Sequence, residues 1–268
     1  MHERLTPPSA VAAGCKGCRD GATFDLPFSM AFQPIVDIEQ ECVFAYEALV
    51  RGMGGESASS ILSQVSDANR YGFDQQCRVK AIEVATRAGI LTTPARLSIN
   101  FLPNAVYSAA ACIQLTLKTA RANAFPSDRL IFEFTENEEM ADPQHVSKII
   151  ATYQQMGFGT AIDDFGAGYA GLNLLARFQT DLIKLDMDLI RGLDTSMPQR
   201  MIVGGVVRMC DALGVKVIAE GIETAGELKA LREIGVRYIQ GFYFAKPGFE
   251  HLPEVHFAVQ FGQQSLTG

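Results

Sequence analysis

Residues 130–164 read LIFEFTENEEMADPQHVSKIIATYQQMGFGTAIDD, and this stretch decides the fold. Leu130–Thr135 is a short apolar run, Pro143–Met156 is amphipathic, and Thr160–Asp164 is apolar again. Short β-branched and aromatic runs read as strands, and apolar spacing of three and four reads as a helix facing a core. A strand, a helix and a second strand in this order make a parallel crossover unit, because a tight turn can join only antiparallel neighbours.

The same alternation extends in both directions. Met30–Val36, Val43–Val50 and Arg96–Phe101 precede the unit; Asp181–Leu185, Val215–Glu220 and Arg237–Gln240 follow it. Between them lie the amphipathic stretches Asp74–Ala88, Asn104–Ala122, Gln199–Leu213 and Ala225–Ile234. The last two stop at Gly214 and Gly235, the usual helix-ending residue. Eight strands alternating with helices predict an α/β chain closed into a TIM-like (β/α)8 barrel. An open, doubly wound sheet is the alternative, but no glycine-rich phosphate fingerprint follows the first strand.

The endings of the runs carry the chemistry. They lead to Glu47, Asn100, Glu133, Asp163 with Asp164, Lys184, Glu220 and Gln240 in turn. In a parallel barrel these ends share one mouth, where active sites sit. Five carboxylates crowded together repel one another unless hard cations sit between them, and oxygen ligands suit Mg²⁺ or Mn²⁺. Asn100 adds a neutral oxygen. The chain has 4 histidines and none ends a run, which argues against a histidine zinc centre. Five acids exceed what one Mg²⁺ takes, and a pair of ions suits phosphoryl transfer. Lys184 among the acids suits activation of water or neutralisation of phosphate charge; Asp186, two residues on, shares its strand face. Taken singly, each residue has a bland reading, as a rim carboxylate, a helix cap or a surface lysine. Their joint occurrence at strand ends does not.

Composition sets outer bounds. A chain of 268 residues with 48% hydrophobic content fills one large barrel without disulfide staples. A net charge of −7 argues against a nucleic-acid-polymer binder, though not against an anionic substrate met through bound cations. Residues 1–25, rich in Pro, Ala and Gly, read as a tail; they hold Cys15 and Cys18 in a single CxxC that lacks a second ligand pair. The other cysteines read as thiols of a reducing compartment. No secretory signal pattern and no apolar run of membrane-spanning length is visible, so a cytoplasmic protein is expected.

At the mouth residues the sequence resembles the EAL domain family. Tyr46-Glu47-Ala48-Leu49-Val50-Arg51-Gly52 carries the three residues that name it. Similar blocks run from Ala31-Phe32-Gln33-Pro34-Ile35-Val36 through Leu97-Ser98-Ile99-Asn100, Phe132-Glu133-Phe134-Thr135-Glu136, Asp163-Asp164-Phe165-Gly166-Ala167-Gly168-Tyr169, Ile183-Lys184-Leu185-Asp186 and Ala219-Glu220-Gly221-Ile222-Glu223 to Gln240-Gly241-Phe242-Tyr243-Phe244-Ala245-Lys246-Pro247. The resemblance implies a barrel over residues 26–268 with an antiparallel first strand, and hydrolysis of cyclic di-GMP to linear pGpG with two Mg²⁺ or Mn²⁺ ions. It implies one metal held by Glu47, Asn100, Glu133 and Asp163, and a second held by Asp163, Asp164 and Glu220. Lys184 would contact the attacking water and Gln240 would support the site. Arg51 would take a substrate phosphate, with Gln33, Leu49, Asp186 and Pro247 in the substrate groove. The segment from Asp164 to about Leu174 resembles a mobile loop held by Glu136, and a homodimer is implied through the following helix. Gly171 stands where many members have Ser, which puts the loop's behaviour in doubt but removes no ligand. The alternatives are a catalytically silent cyclic di-GMP receptor and an adaptor that binds proteins only; the complete ligand set argues against both.

Overall fold

The computed structural model describes residues 24–102, 109–135, 143–168 and 171–257. The expectations for Cys15, Cys18, Glu136 and Tyr169, and for the first part of the Asn104–Ala122 helix, lie outside these residues.

The strands are β1 (Phe28–Asp37), β2 (Cys42–Gly52), β3 (Arg96–Phe101), β4 (Leu130–Thr135), β5 (Gly159–Phe165), β6 (Leu182–Leu185), β7 (Lys216–Ala219), β8 (Tyr238–Gln240) and β9 (Gly248–Phe249). The helices are α1 (Ala58–Leu62), α2 (Arg70–Arg87), α3 (Ala109–Cys112), α4 (Gln114–Ala122), α5 (Pro143–Gln155), α6 (Gly171–Arg177), α7 (Met187–Ile190), α8 (Met197–Leu213) and α9 (Ala225–Ile234). β2 to β8 pair in parallel in sequence order, and β1 closes the ring, antiparallel to both β2 and β8. The expected barrel with its reversed first strand is therefore present.

Two differences have physical reasons. Helix α2 begins before the expected Asp74, because Phe73 is buried and Tyr71 packs against the core, giving the first turn tertiary support. β9 was not expected. Its two residues pair with Ala31 and Phe32 of β1 and are too few to show any periodicity. No helix among the described residues is long and apolar enough to cross a membrane.

The barrel interior explains where the polar residues go. Ile35, Ala45, Ile131, Ala161, Leu182, Ile218 and Tyr238 form one buried cluster that floors it. Side chains on a strand alternate faces, so the next inward position is two residues away. From Ala45, Ile131, Ala161, Leu182, Ile218 and Tyr238 that step arrives at Glu47, Glu133, Asp163, Lys184, Glu220 and Gln240. On β1, which runs the other way, the step from Ile35 goes back to Gln33. Each of these groups thus stands one layer above an apolar floor.

β2 corrects one expectation: Glu47 lies in the middle of its strand, not at the end. β2 pairs with β3 only over Ala45–Ala48, whereas its Leu49–Gly52 segment pairs with β1. The β1–β2 hairpin therefore overhangs the mouth, and mid-strand Glu47 lies level with the other acids.

Outside the barrel, Phe101 and Phe132 pack with Tyr153 of α5 and with Phe158, at ring-centroid distances of 5.0–6.0 Å. These rings alternate in sequence with Asn100 and Glu133, so packing on the outer face fixes the strands whose inner face carries the polar groups.

At the other end of the barrel, Asp37 closes β1. Its carboxylate accepts bonds from Arg237 Nε at 2.9 Å and Nη2 at 2.6 Å, and from the Glu39 and Gln40 N–H groups at 3.1 Å. Burial raises its pKa, but Arg237 and the two N–H groups outweigh that and hold it below the ordinary Asp value. A depressed folded-state pKa contributes stability above the unfolded value, and this is lost as pH falls through the folded one. Asp37→Asn is expected to lower Tm by a few degrees at pH 7, with the gap from the parent closing in the acid range. Thermal melts across pH 3–7 would check this; a gap that stays constant contradicts it.

Candidate active site

Lys184 is the hub of the mouth. Its Nζ lies 2.6 Å from Glu220 Oε1, 2.9 Å from Asp163 Oδ1, 3.0 Å from Glu133 Oε2 and 3.3 Å from Glu47 Oε2. The lysine is 1% exposed and Glu133 is fully buried. Glu47 also accepts from Asn100 Nδ2 at 3.0 Å and from Gln240 Nε2 at 2.7 Å. Gln240 Nε2 lies 3.3 Å from Gln33 Oε1 as well, and Gln33 Nε2 donates to the Ala245 carbonyl at 3.3 Å. Gln33, expected in the substrate groove, thus also braces Gln240.

Asp163 and Asp164 are adjacent, and a regular strand would turn them to opposite faces. Both instead offer a carboxylate oxygen to the same cluster. The backbone is the reason. The β5–β6 register slips between Ile162 and Phe165, and Asp164 adopts φ 54°, in the left-handed region. Bulges of this kind re-aim side chains beside active sites, and Asp tolerates the left-handed conformation better than most non-glycine residues.

Two groups of acids result. Glu47, Glu133 and Asp163 present oxygens within 4.8 Å of one another, and so do Asp163, Asp164 and Glu220. Asp163 belongs to both. Its Oδ1, though close to Lys184, is buried without a hydrogen bond.

The electrostatics reflect this crowding. Burial pushes the Glu133 carboxyl up to about 8, with the Glu47 and Asp163 charges adding to Lys184's incomplete compensation. Burial and Asp163 raise Asp164 to about 6. Burial, Asp163 and Glu47 carry Glu220 well above the carboxylate range. Glu47 goes the other way: burial raises it, but Lys184, Gln240 and Asn100 together bring it below its ordinary value. Burial works against the Lys184 ammonium, yet its carboxylate neighbours hold it charged far into the alkaline range.

A cleft of about 310 Å³ opens on this cluster, lined also by Leu49, Asp186, Met187, Glu223 and Phe242. A second cavity of about 360 Å³ lies beside it, apolar at Leu62, Phe73 and Ile99. Glu47, Leu49, Asp163 and Asp164 line both. Asp186 caps α7, accepting from the Asp188 N–H at 2.9 Å. Arg51 and Pro247 do not line the 310 Å³ cleft; Arg51 Nη1 donates to the Val50 carbonyl at 2.7 Å. The loops after β7 and β8 come close enough that a Cβ on Gly241 would fall 2.1 Å from the Ile222 carbonyl oxygen, so only glycine fits there.

Ser98 was not foreseen. Fully buried on β3, it donates to Glu133 Oε1. Its position two residues before Asn100 places it on the same inward face, which is the signal that could have found it.

These features define an α/β barrel whose mouth gathers acids around one buried lysine. The EAL domain model matches residues 26–247, and the chain belongs to that family. A standalone versatile EAL protein from Vibrio cholerae O395, solved bound to c-di-GMP, superposes with a TM-score of 0.84 at 48% identity, covering 88% of this chain and 99% of that one. The Klebsiella pneumoniae BlrP1 manganese/cy-diGMP complex at pH 9.0 gives a TM-score of 0.80 at 34% identity, covering 86% of this chain and 58% of that one. Among curated relatives, the blue light- and temperature-regulated antirepressor BluF of Escherichia coli is 32% identical over 84% of this chain and 55% of its own. The cyclic di-GMP phosphodiesterase RocR of Pseudomonas aeruginosa is 32% identical over 65% of this chain and 44% of its own. The chain spans about half the length of these two relatives.

Proposed function

We propose that the chain is a metal-dependent phosphodiesterase that hydrolyses cyclic di-GMP to linear pGpG with two Mg²⁺ or Mn²⁺ ions. The observation that carries this reading is the pair of carboxylate groups sharing Asp163 around Lys184. The residues fit hard cations: every donor is an oxygen, Asp163 Oδ1 is buried without a hydrogen bond, and one ammonium is paired with four of the five acids. Glu47, Asn100, Glu133 and Asp163 would hold one ion, and Asp163, Asp164 and Glu220 the other.

When held there, a pair of hard cations would supply a nucleophile at neutral pH and polarise the phosphoryl group. Lys184 orients the attacking water at its Nζ and neutralises charge developing on the phosphate. Gln240, braced by Gln33, holds the Glu47 carboxylate. Arg51 swings from the Val50 carbonyl to present its fork to a substrate phosphate. Leu49 and Asp186 form walls of the groove, and Pro247 belongs to its extension beyond the 310 Å³ cleft. Two cavities that share Asp163 in their walls suit a ligand with two bases joined through its phosphates. Glu136 as holder of the loop, a tail at residues 1–25, cytoplasmic location and a homodimer complete the proposal.

A silent cyclic di-GMP receptor is the second reading, and the similarity to an antirepressor favours it. One experiment separates the two. Purified protein is incubated with cyclic di-GMP and Mn²⁺, with and without excess EDTA, and the nucleotides are separated. Metal-dependent release of pGpG supports the enzyme; binding without turnover supports the receptor. Metal affinity should also depend on pH. With Glu133 titrating near 8 and Asp164 near 6 in the metal-free protein, ions compete with protons. Mn²⁺ is expected to bind more tightly as pH rises from 6 to 8, releasing protons as it does so. Calorimetry in buffers of different ionisation enthalpy would measure both effects.

A further inference from the structure

We propose that Asp74 is a positioning residue for the candidate metal site, holding the mouth end of β3, and with it Asn100, through the Leu102 N–H. This deepens the proposed function and rests on Asn100 being a metal ligand. Asp74 lies on α2, outside the barrel, and none of the roles given above involves it.

Asp74 Oδ1 accepts from the Leu102 N–H at 3.2 Å, and its Oδ2 pairs with Arg78 Nη2 at 2.6 Å. Both side chains are buried, at 1% and 0% exposure. The Arg78 guanidinium lies 5.4 Å from the centre of the Phe101 ring. One turn of α2 therefore grips the two residues that follow Asn100, one by its backbone and the other by its ring. The last β3–β4 pair is Phe101 with Phe134, so the Asp74 carboxylate takes over where the ladder stops. Asp74 also lines the 360 Å³ cavity together with Asn100, Glu47 and Asp163, so the anchor adjoins the cluster.

Stability alone does not account for the pair. Burying two charges is costly, and apolar replacements of similar volume are often neutral or stabilising. A fixed acceptor beside a ligand-bearing strand end has a further use, because groups that orient metal ligands typically govern affinity 10–100-fold.

The test is a Mn²⁺ titration of the full chain without substrate, with Tm recorded for each variant. In an Arg78→Met background, Asp74→Leu removes the acceptor for Leu102, whereas Asp74→Asn keeps a side-chain oxygen for it. The Leu variant is expected to bind Mn²⁺ about 10–100-fold more weakly, and the Asn variant to recover most of that loss. Asn100→Ala serves as the control for the metal reading. Wild-type affinity in the Leu variant, or equal losses in both, with Asn100→Ala weakened, would overturn the role of Asp74 and leave the metal site standing. Wild-type affinity in Asn100→Ala would instead remove Asn100 from the metal site, and the purpose assigned to Asp74 with it.

Discussion

Glu47→Gln is expected to lower kcat for cyclic di-GMP hydrolysis by about 10³-fold, the upper range for losing one preorganised electrostatic group. The substitution keeps the shape and removes the charge. Glu47 accepts from Asn100 and Gln240 and stands 3.3 Å from Lys184. Despite burial, Lys184, Gln240 and Asn100 also draw its pKa below the ordinary value, so it is set up to remain ionised. An amide there offers a proximal cation one neutral oxygen and turns a donor either toward both Gln240 and Lys184, at the Oε2 position, or toward Asn100, at the Oε1 position. The Glu47/Glu133/Asp163 group should therefore lose affinity, whereas the Asp163/Asp164/Glu220 group, which does not include Glu47, should keep most of its own. Mn²⁺ titration should resolve one weakened and one retained class of site, with turnover lost at metal concentrations that saturate the parent. Full turnover in Glu47→Gln would remove Glu47 from the metal site.

Apolar alternation was enough for eight strands, because on seven of them the inward mouth residue lies two residues from an apolar floor residue, as Lys184 does from Leu182 and Glu133 from Ile131. Glu47 was found from its residue type, but its mid-strand place was not, because the length by which β2 overhangs β3 depends on pairing between distant segments. The meeting of Asp163 with Asp164 in one cluster depends on a register slip and a left-handed residue, and period-two reading gives no sign of either. The Asp74–Arg78 pair, spaced by four on a helix, has the pattern of a surface ion pair. Only tertiary packing shows that it is buried. Ser98 was within reach, one step down the same face from Asn100, but a serine between two apolar residues carries no charge to draw attention.

Lys184→Met tests the other half of the chemistry, and its two readouts should move in opposite senses. The ammonium lies within 3.3 Å of four carboxylates and stays charged, so it is both a candidate for orienting the attacking water and an internal competitor of any bound cation. Methionine keeps the unbranched stem and removes the charge. Loss of a positioned group that acts on the attacking water is expected to cut kcat about 10²–10⁴-fold. KM should change little, because the cleft walls at Leu49, Asp186 and Phe242 are untouched. The same change deepens the negative potential at the mouth, so at pH 8 and above, where protons compete less, Mn²⁺ should bind at least as tightly as in the parent. Without metal, the unscreened acids Glu133 and Glu220 take up protons more readily still, and the apo variant should lose Tm toward alkaline pH and regain it on adding Mn²⁺. A variant that turns over slowly while holding its ions firmly is the signature of a lysine acting on the reacting water. Equal losses in kcat and in Mn²⁺ affinity would mean instead that Lys184 only arranges the acids, and that water activation depends on another group.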